Sequence, residues 1–152
     1  MPSFQPMFIE SKGKAIQYKG MTLVLMDRLP IEGARAIRLV FEQCRGRCRQ
    51  GVSLICEGVR FRINGRLFDG GKKGIGLWQD TAPSSVEIEI VGRGRDLKVH
   101  NAWDTGNGTV HYWHNGAAMI VEEIPNGRRY RCNDGEPDEN FDDIVFRIER
   151  VD

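Results

Sequence analysis

Short segments in which apolar and polar residues alternate recur along the chain, and they constrain the fold more than any other feature. The clearest are 86–90, with the sequence VEIEI, and 59–63, with VRFRI before the turn pair Asn64-Gly65. The pattern returns at 97–100 and at 144–149. Because successive side chains of a β-strand point to opposite faces, each segment predicts a strand with one buried face and one solvated face.

Helix signals are scarce, and this supports the same interpretation. The one stretch with a plausible helical pattern, 31–41, ends in a β-branched and aromatic run typical of a strand. Eighteen glycines supply turn signals between the apolar segments. We therefore predict a single all-β domain over residues 1–152, an antiparallel β-sandwich of jelly-roll type. Residues 1–20 are less regular, and we expect an edge hairpin or a mobile arm there.

Other sequence signals bear on compartment and redox state. The longest apolar stretches, such as 21–26, have the length of a strand, so we expect no membrane-spanning segment and see no signal peptide. Cys56 lies in an apolar run and is expected to be a buried thiol. Cys44 and Cys48 lie in a polar loop, where a local disulfide and two free thiols both remain open. The compartment is left undetermined.

Negative charge is concentrated near the C-terminus. The whole chain has a net charge of +1, but residues 134–152 contain eight acidic and two basic residues, a net charge of −6. Six of these carboxylates fall within 134–143, which we call the acidic loop. Crowded carboxylates repel one another unless water, arginines or a cation compensates them. Calcium suits such a loop, because it accepts about six to eight oxygen ligands in irregular geometry.

The order of oxygen-bearing residues predicts how calcium is bound. Asp138, Asn140 and Asp142 occupy alternate positions, Asp143 adjoins the last strand, and Phe141 can turn into the core as an anchor. An EF-hand is excluded, because the loop lacks its glycine and its final glutamate. The predicted metal ligands are Asp134, Asp138, Asn140, Asp142, Asp143 and Glu123, with Glu122 as a further candidate. A solvated turn, or a turn compensated by Arg128, Arg129 and Arg131, remains the alternative.

The segment 138–146, DENFDDIVF, resembles a known signature. It is similar to the D-x-D-[FY]-[ND]-D-[LIV]-V-[FY] pattern at the C-terminal edge of calcium-binding β-sandwich domains of bacterial surface and secreted proteins, the DUF4114-like group among them. The resemblance implies a calcium-dependent sandwich whose ligands include Asp138, Asn140, Asp142 and Asp143. Asn140 stands where the pattern usually has a second aspartate, which removes one negative charge.

Residues 101–116 predict a second binding region. This segment contains two of the three tryptophans and two of the three histidines around a glycine-rich turn. Aromatic rings can stack on the apolar face of a sugar while polar groups bind its hydroxyls, although a tryptophan in a sandwich can equally belong to the core. The predicted ligand-binding residues are Trp103, Asp104, Trp113, His114 and Asn115.

The sequence thus favours a non-enzymatic calcium-binding module, with carbohydrate as a further ligand. One alternative is a small hydrolase or lyase that uses His111, His114 and Asp104. Another is a structural or assembly protein whose basic loops, such as 45–49, 72–73 and 93–95, meet an acidic partner. A dedicated nucleic-acid-binding role is disfavoured by a pI of about 7.7.

Overall fold

The structure, a computed structural model, describes residues 3–113, 115–136 and 138–152, which form one short helix and fourteen strands. The elements are α1 (Gln5–Glu10), β1 (Ile16–Tyr18), β2 (Met21–Leu23), β3 (Asp27–Pro30), β4 (Ala36–Gln43), β5 (Arg49–Ile55), β6 (Val59–Ile63), β7 (Arg66–Asp69), β8 (Ile75–Trp78), β9 (Ser85–Gly92), β10 (Asp96–Asp104), β11 (Val110–His111), β12 (Ala118–Ile124), β13 (Gly127–Asn133) and β14 (Ile144–Val151).

The strands form two main antiparallel sheets and a small hairpin. The seven-stranded sheet has the order β12-β13-β14-β4-β9-β6-β7. The five-stranded sheet has the order β11-β10-β5-β8, with β3 also paired to β10. Strands β1 and β2 form the separate hairpin. The prediction of an all-β fold with packed antiparallel sheets is confirmed, whereas the jelly-roll connectivity stays a prediction.

The main core lies between the two sheets, and the alternating segments supply it as predicted. In β9, Val86 and Ile88 are buried, while Glu87 between them is exposed. Leu54 and Val99 of the five-stranded sheet belong to the same buried cluster. Burial of this kind stabilises the fold by about 25 cal/mol for each Å² of apolar surface removed from water. One face of each sheet is thereby committed to the core, and only the other face is available to a ligand.

The N-terminal residues pack as a second, smaller core. Phe4 and Phe8 flank or belong to α1, and together with Ile16 and Leu23 of the hairpin they are buried against Phe141 of the acidic loop. The Phe4 and Phe141 rings stack at a centroid distance of 6.0 Å. The sequence signals do not indicate α1, which is too short to show a helical period. The expected turn of Phe141 into the core is present.

Two further expectations concern membrane-spanning segments and the cysteines. In the part of the chain that the structure describes, no helix has the length and hydropathy needed to cross a bilayer. All four cysteines are free, so Cys44 and Cys48 form no local disulfide. Cys56 is buried, as its apolar surroundings predict.

Phe141 should therefore anchor the acidic loop to the fold. Replacing it in Phe141→Ala removes a fully enclosed ring and leaves a cavity, so we expect the free energy of unfolding to fall by about 3 to 5 kcal/mol. Urea unfolding followed by circular dichroism measures this loss. The matched control is Phe141→Leu, which keeps most of the apolar volume and should lose much less. A loss below about 1 kcal/mol in the alanine variant would show that Phe141 is not an anchor.

Candidate functional site

A row of small residues crosses the outer face of the five-stranded sheet. In the strand registers, Ser53 lies opposite both His100 and Gly76, and Gly51 lies opposite both Ala102 and Trp78. Directly opposed residues of antiparallel strands share a face, so these side chains all point away from the core. Because the two glycines have no side chains, the middle of this outer face is a channel.

Trp78 forms one wall of this channel. Its ring lies over Gly51 so closely that a Cβ there would approach ring atom Cε3 to 2.9 Å. Nothing lies within 4 Å of the corresponding position on Gly76, so the channel is open above that residue. The Arg49 guanidinium packs on the Trp78 ring at 4.5 Å, and its Nε also donates to Asp80 at 2.9 Å. Trp78 is thus held between a glycine and a tethered arginine.

Tyr112 and Trp113, which follow β11, form the other wall. They are 46% and 40% exposed, and their rings meet edge to face at 5.4 Å. His100 lies beneath them, with ring centroids at 5.3 Å from Tyr112 and 5.5 Å from Trp113. Burial lowers the pKa of His100. Its Nδ1–H donates to the carbonyl of Asn101 at 3.0 Å, which leaves Nε2 of the neutral ring as an acceptor.

The channel and its walls enclose about 690 Å³. We call this the aromatic groove and define it by Gly51, Ser53, Gly76, Trp78, His100, Tyr112 and Trp113. Trp113 has φ +62°, a left-handed conformation that costs a bulky residue about 1–3 kcal/mol. Such strain is retained where the position of a side chain matters, and here it belongs to a half-exposed tryptophan at the rim of a cavity.

The predicted ligand-binding residues are divided between the two faces of the sheet. Trp113 lies in the aromatic groove. Trp103 is 4% exposed, stacks on His111 at 6.2 Å and contacts Gly135 on the opposite face. Asp104 faces the outer side, but its Oδ1 accepts from the backbone N–H groups of the following turn. Asn115 binds the N-terminal segment through its main chain. His114 lies outside the described residues.

The residues predicted for acid–base catalysis are also divided between the two faces of the sheet. Asp104 lies opposite Val110 and His111 lies opposite Trp103, so the carboxylate and the imidazole project from opposite faces of the sheet. A general base has to lie within hydrogen-bond reach of the proton that it removes. The described residues do not bring Asp104 and His111 into one catalytic arrangement.

Asp134 and Asp143 form a buried carboxylate pair in the acidic loop. Asp143 Oδ2 accepts from the backbone N–H of Asp134 at 2.9 Å, and Gln50 Nε2 donates to Asp134 Oδ2 at 2.8 Å. Burial and the charge of Asp134 raise the pKa of Asp143 to about 7. The other amide atom, Gln50 Oε1, is buried in a side chain that is 1% exposed and has no hydrogen-bond partner among the described residues. An acceptor oxygen left unpaired beside two carboxylates is costly unless a cation or a proton is close.

Other predicted metal ligands lie apart from this pair. Asp138 Oδ1 accepts from the backbone N–H of exposed Asn140 at 3.1 Å. The Asp142 carboxylate lies 3.9 Å from Arg45. Glu123 is near the far end of β12, about five residues beyond Ala118, which lies opposite Asn133. At about 3.3 Å per strand residue it is remote from the loop, and it pairs instead with Arg128.

The charges that compensate the loop come from unexpected residues. Arg129 bonds to Glu42, and Arg131 lies 3.6 Å from Glu122, so these two arginines are engaged on the outer face of the seven-stranded sheet. Glu139 is instead bound by Lys19 at 2.9 Å and by the Tyr18 hydroxyl at 2.6 Å. Within residues 3–113, 115–136 and 138–152, no three His, Cys, Asp or Glu side chains are grouped as a metal site requires.

Of the seven residues that define the aromatic groove, the sequence prediction includes only Trp113 and misses the other three rings, Trp78, His100 and Tyr112, as well as the floor. A signal for its floor is present in the residues Gly51-Val52-Ser53 and Gly76-Leu77, where small and apolar residues alternate. That pattern predicts strands whose outer face is nearly bare. Which aromatic residues border the bare face depends on strand pairing across the sheet, and local sequence does not reveal it.

Comparisons of the chain with protein-family models, with curated proteins and with solved structures find no match. The resemblance of 138–146 to calcium-binding sandwich domains therefore stays a prediction. The function has to be argued from the geometry of the groove and the loop.

His100 should make stability depend on pH. The imidazole of the unfolded chain takes up a proton near pH 6.5, whereas the buried ring in the folded chain resists protonation. The contribution of this residue is therefore present above about pH 6.5 and is lost as the pH falls toward the lowered pKa of the folded state. Urea unfolding of wild type and of His100→Gln between about pH 5 and 8 should show the wild type losing more stability on acidification. Parallel curves for the two proteins would contradict this.

Proposed function

We propose that this protein is a non-enzymatic carbohydrate-binding module whose aromatic groove holds the ligand. The observation that carries the proposal is the open channel over Ser53 and Gly76, bordered by Trp78 on one side and by Tyr112 and Trp113 on the other. Its volume of about 690 Å³ lies in the range of small-ligand sites, roughly 300–1,000 Å³. Sugar rings have apolar C–H faces and polar rims, and the groove offers matching groups.

The chemistry of the walls supports a sugar over a purely apolar ligand. Indole and phenol rings stack on the C–H faces of a pyranose, and each also has a polar atom at its edge. On the floor of the groove, the Ser53 hydroxyl can both donate and accept a hydrogen bond, and His100 Nε2 can accept one. A lipid or another wholly apolar ligand would leave these polar groups without partners, at a cost of about 1–3 kcal/mol for each one buried.

The two outer faces of the sandwich differ, and the difference supports the five-stranded sheet as the proposed binding face. The outer face of the seven-stranded sheet is covered by ion pairs, such as Glu42 with Arg129 and Arg147 at 2.8 Å each. The outer face of the five-stranded sheet instead exposes Val110, Tyr112 and Trp113. An exposed apolar patch beside a cavity is typical of a binding surface, because its exposure to water is unfavourable without a partner.

Loss of the exposed aromatic wall should abolish most of the affinity. In Trp113→Ala and Tyr112→Ala we expect the Kd for a bound glycan, found by screening an immobilised oligosaccharide panel, to rise by roughly 10- to 100-fold. The reason is that each ring contributes both stacking and buried area, about 1–3 kcal/mol. Isothermal titration calorimetry measures the change.

The matched control is Ile9→Ala, because Ile9 is a 69% exposed apolar residue on α1, outside the groove. It should leave the Kd unchanged. If both aromatic variants bind as wild type does, or if no oligosaccharide in the panel binds, the proposal fails.

A second candidate function, calcium binding in the acidic loop, is favoured by one observation. Gln50 Oε1 is buried without a partner next to the Asp134–Asp143 pair. We propose that these three side chains supply a compact set of oxygen ligands, with main-chain carbonyls and water completing the shell of about six to eight. The proposal is narrower than the sequence prediction, because it leaves out Asp138, Asn140, Asp142 and Glu123, and it adds Gln50.

Calcium should then stabilise the protein measurably. At a concentration 100-fold above its Kd, a bound ion adds about 2.7 kcal/mol, which corresponds to a rise in melting temperature of about 5 to 10 °C for a domain of this size. Differential scanning fluorimetry with calcium and with chelator measures the shift. Asp143→Asn should abolish it, whereas the matched control Glu123→Gln should retain it. An equal melting temperature with calcium and with chelator would refute calcium binding.

A further inference from the structure

Unpaired cations are concentrated at one end of the aromatic groove. Lys98 lies on the same face as His100, two residues earlier in β10, and directly opposite Arg28 of β3. Like charges placed opposite each other on neighbouring strands are destabilising. This pair therefore costs stability that an anion between the two side chains would recover.

Two more lysines reach the same end from the turn between β7 and β8. Lys72 and Lys73 line the groove together with Lys98, and Glu57 is the acidic residue that accompanies them. An adjoining cavity of about 720 Å³ shares Lys98 and Glu57. The basic residues along the two cavities are Arg28, Lys72, Lys73, Arg93, Arg95 and Lys98, and the acidic ones are Glu32, Glu57 and Asp96.

The six cations at this end lie together, and they lack the ion pairs that many other cations form. Across the described residues, none of the six basic side chains at this end forms an ion pair with a carboxylate. Several arginines of the seven-stranded sheet, by contrast, are closely paired, as Arg147 is with Glu42 at 2.8 Å and Glu149 at 3.0 Å. The chain thus has enough carboxylates to neutralise its cations, yet leaves one end of the groove positive. A positive surface of this kind raises the local concentration of anionic ligands.

We infer that the ligand is an anionic polysaccharide, with sugar rings stacked in the aromatic groove and a carboxylate or sulfate group held at the lysine end. The inference rests on the proposed carbohydrate-binding function and specifies its substrate class. Lys72, Lys73 and Lys98 supply ammonium groups for the acidic substituent. Arg28, opposite Lys98, extends the positive surface toward the next residue of the polymer.

The distribution of charge favours a polysaccharide over a nucleic acid. Single-stranded nucleic acids carry one phosphate per nucleotide, and their binding grooves have cations along the whole path. Here the cations lie at one end, while the section between Trp78 and Trp113 has glycine, serine and alanine as its floor. Arg49, the cation beside Trp78, is bound to Asp80. A ligand with uncharged rings and widely spaced anions fits this arrangement.

The test compares four probes: cellohexaose as a neutral oligosaccharide, an oligogalacturonate, a heparin-derived hexasaccharide, and a ten-nucleotide oligothymidine. The acidic sugars should bind at least tenfold more tightly than cellohexaose at 50 mM salt, and this preference should shrink at about 300 mM salt because exposed charges are screened. If the oligogalacturonate binds more tightly than the heparin-derived hexasaccharide, the acidic group is a carboxylate; if the reverse holds, it is a sulfate. Trp113→Ala should weaken all bound sugars alike.

The lysine variants decide the inference. Lys72→Gln/Lys73→Gln and Lys98→Gln should each lower the affinity for the acidic sugar roughly tenfold more than the affinity for the neutral sugar, a difference equal to the value of one lost charge-assisted hydrogen bond. The matched control is Lys12→Gln/Lys14→Gln, which changes the net charge equally at two exposed lysines outside the groove. It should keep the wild-type preference.

Each of the following outcomes refutes one part of the proposal. If the lysine variants keep the acidic preference, or if neutral sugars bind as tightly as acidic ones, the inference fails while the carbohydrate-binding function stands. If no sugar binds, both fail. Binding of oligothymidine alone, with loss in the lysine variants, would replace the polysaccharide with a nucleic acid.

Discussion

The register between β10, β5 and β8 is the constraint on which the rest of the structure depends. It aligns His100 with Ser53 and Gly76, and Ala102 with Gly51 and Trp78, on the outer face. The same register places Val99 and Leu54 in the core. Because side chains alternate with a period of two, a slip of one residue would exchange these sets and put small residues in the core. The bare channel and the packed interior are therefore two consequences of one pairing pattern.

The outer faces of the two sheets also differ in how their charged side chains are arranged. On the seven-stranded sheet, arginine and glutamate side chains neutralise each other across neighbouring strands, as between Arg147 of β14 and Glu42 of β4. Exposed pairs of this kind add little stability individually, but they keep most of the face hydrated, and among the described residues Leu67 is the large apolar side chain that this face exposes. On the five-stranded sheet the aromatic wall is exposed and Lys98 lies opposite Arg28 without a carboxylate partner. Both features are unfavourable in the isolated protein, and both become favourable when a ligand with apolar ring faces and an acidic group covers them.

The sequence predicts the strands well and the candidate site only in part. Alternation in 86–90 identifies a strand and its buried residues, because burial of one face is a local requirement. Phe141 is predicted to anchor the acidic loop, since it is the apolar residue within a polar segment. The groove could not be assembled in this way, because its opposite walls, Trp78 and Tyr112, come from segments that are distant in sequence. The predicted grouping of Trp103 with Trp113 also ignored the alternation of faces, which places Trp103 on the inner side.

The acidic loop and the aromatic groove are joined through consecutive residues of β5. Gln50 faces inward and donates to Asp134, whereas Gly51 faces outward beneath the Trp78 ring. Asn101 of β10 adds a second link, because its amide donates to the carbonyl of Asn133 at the start of the loop. Any change in the charge state of the Asp134–Asp143 pair alters the partners of Gln50, and so acts on the strand end that supports one wall of the groove. Through Gln50 and Asn101, the loop therefore supports the strands that carry the aromatic groove.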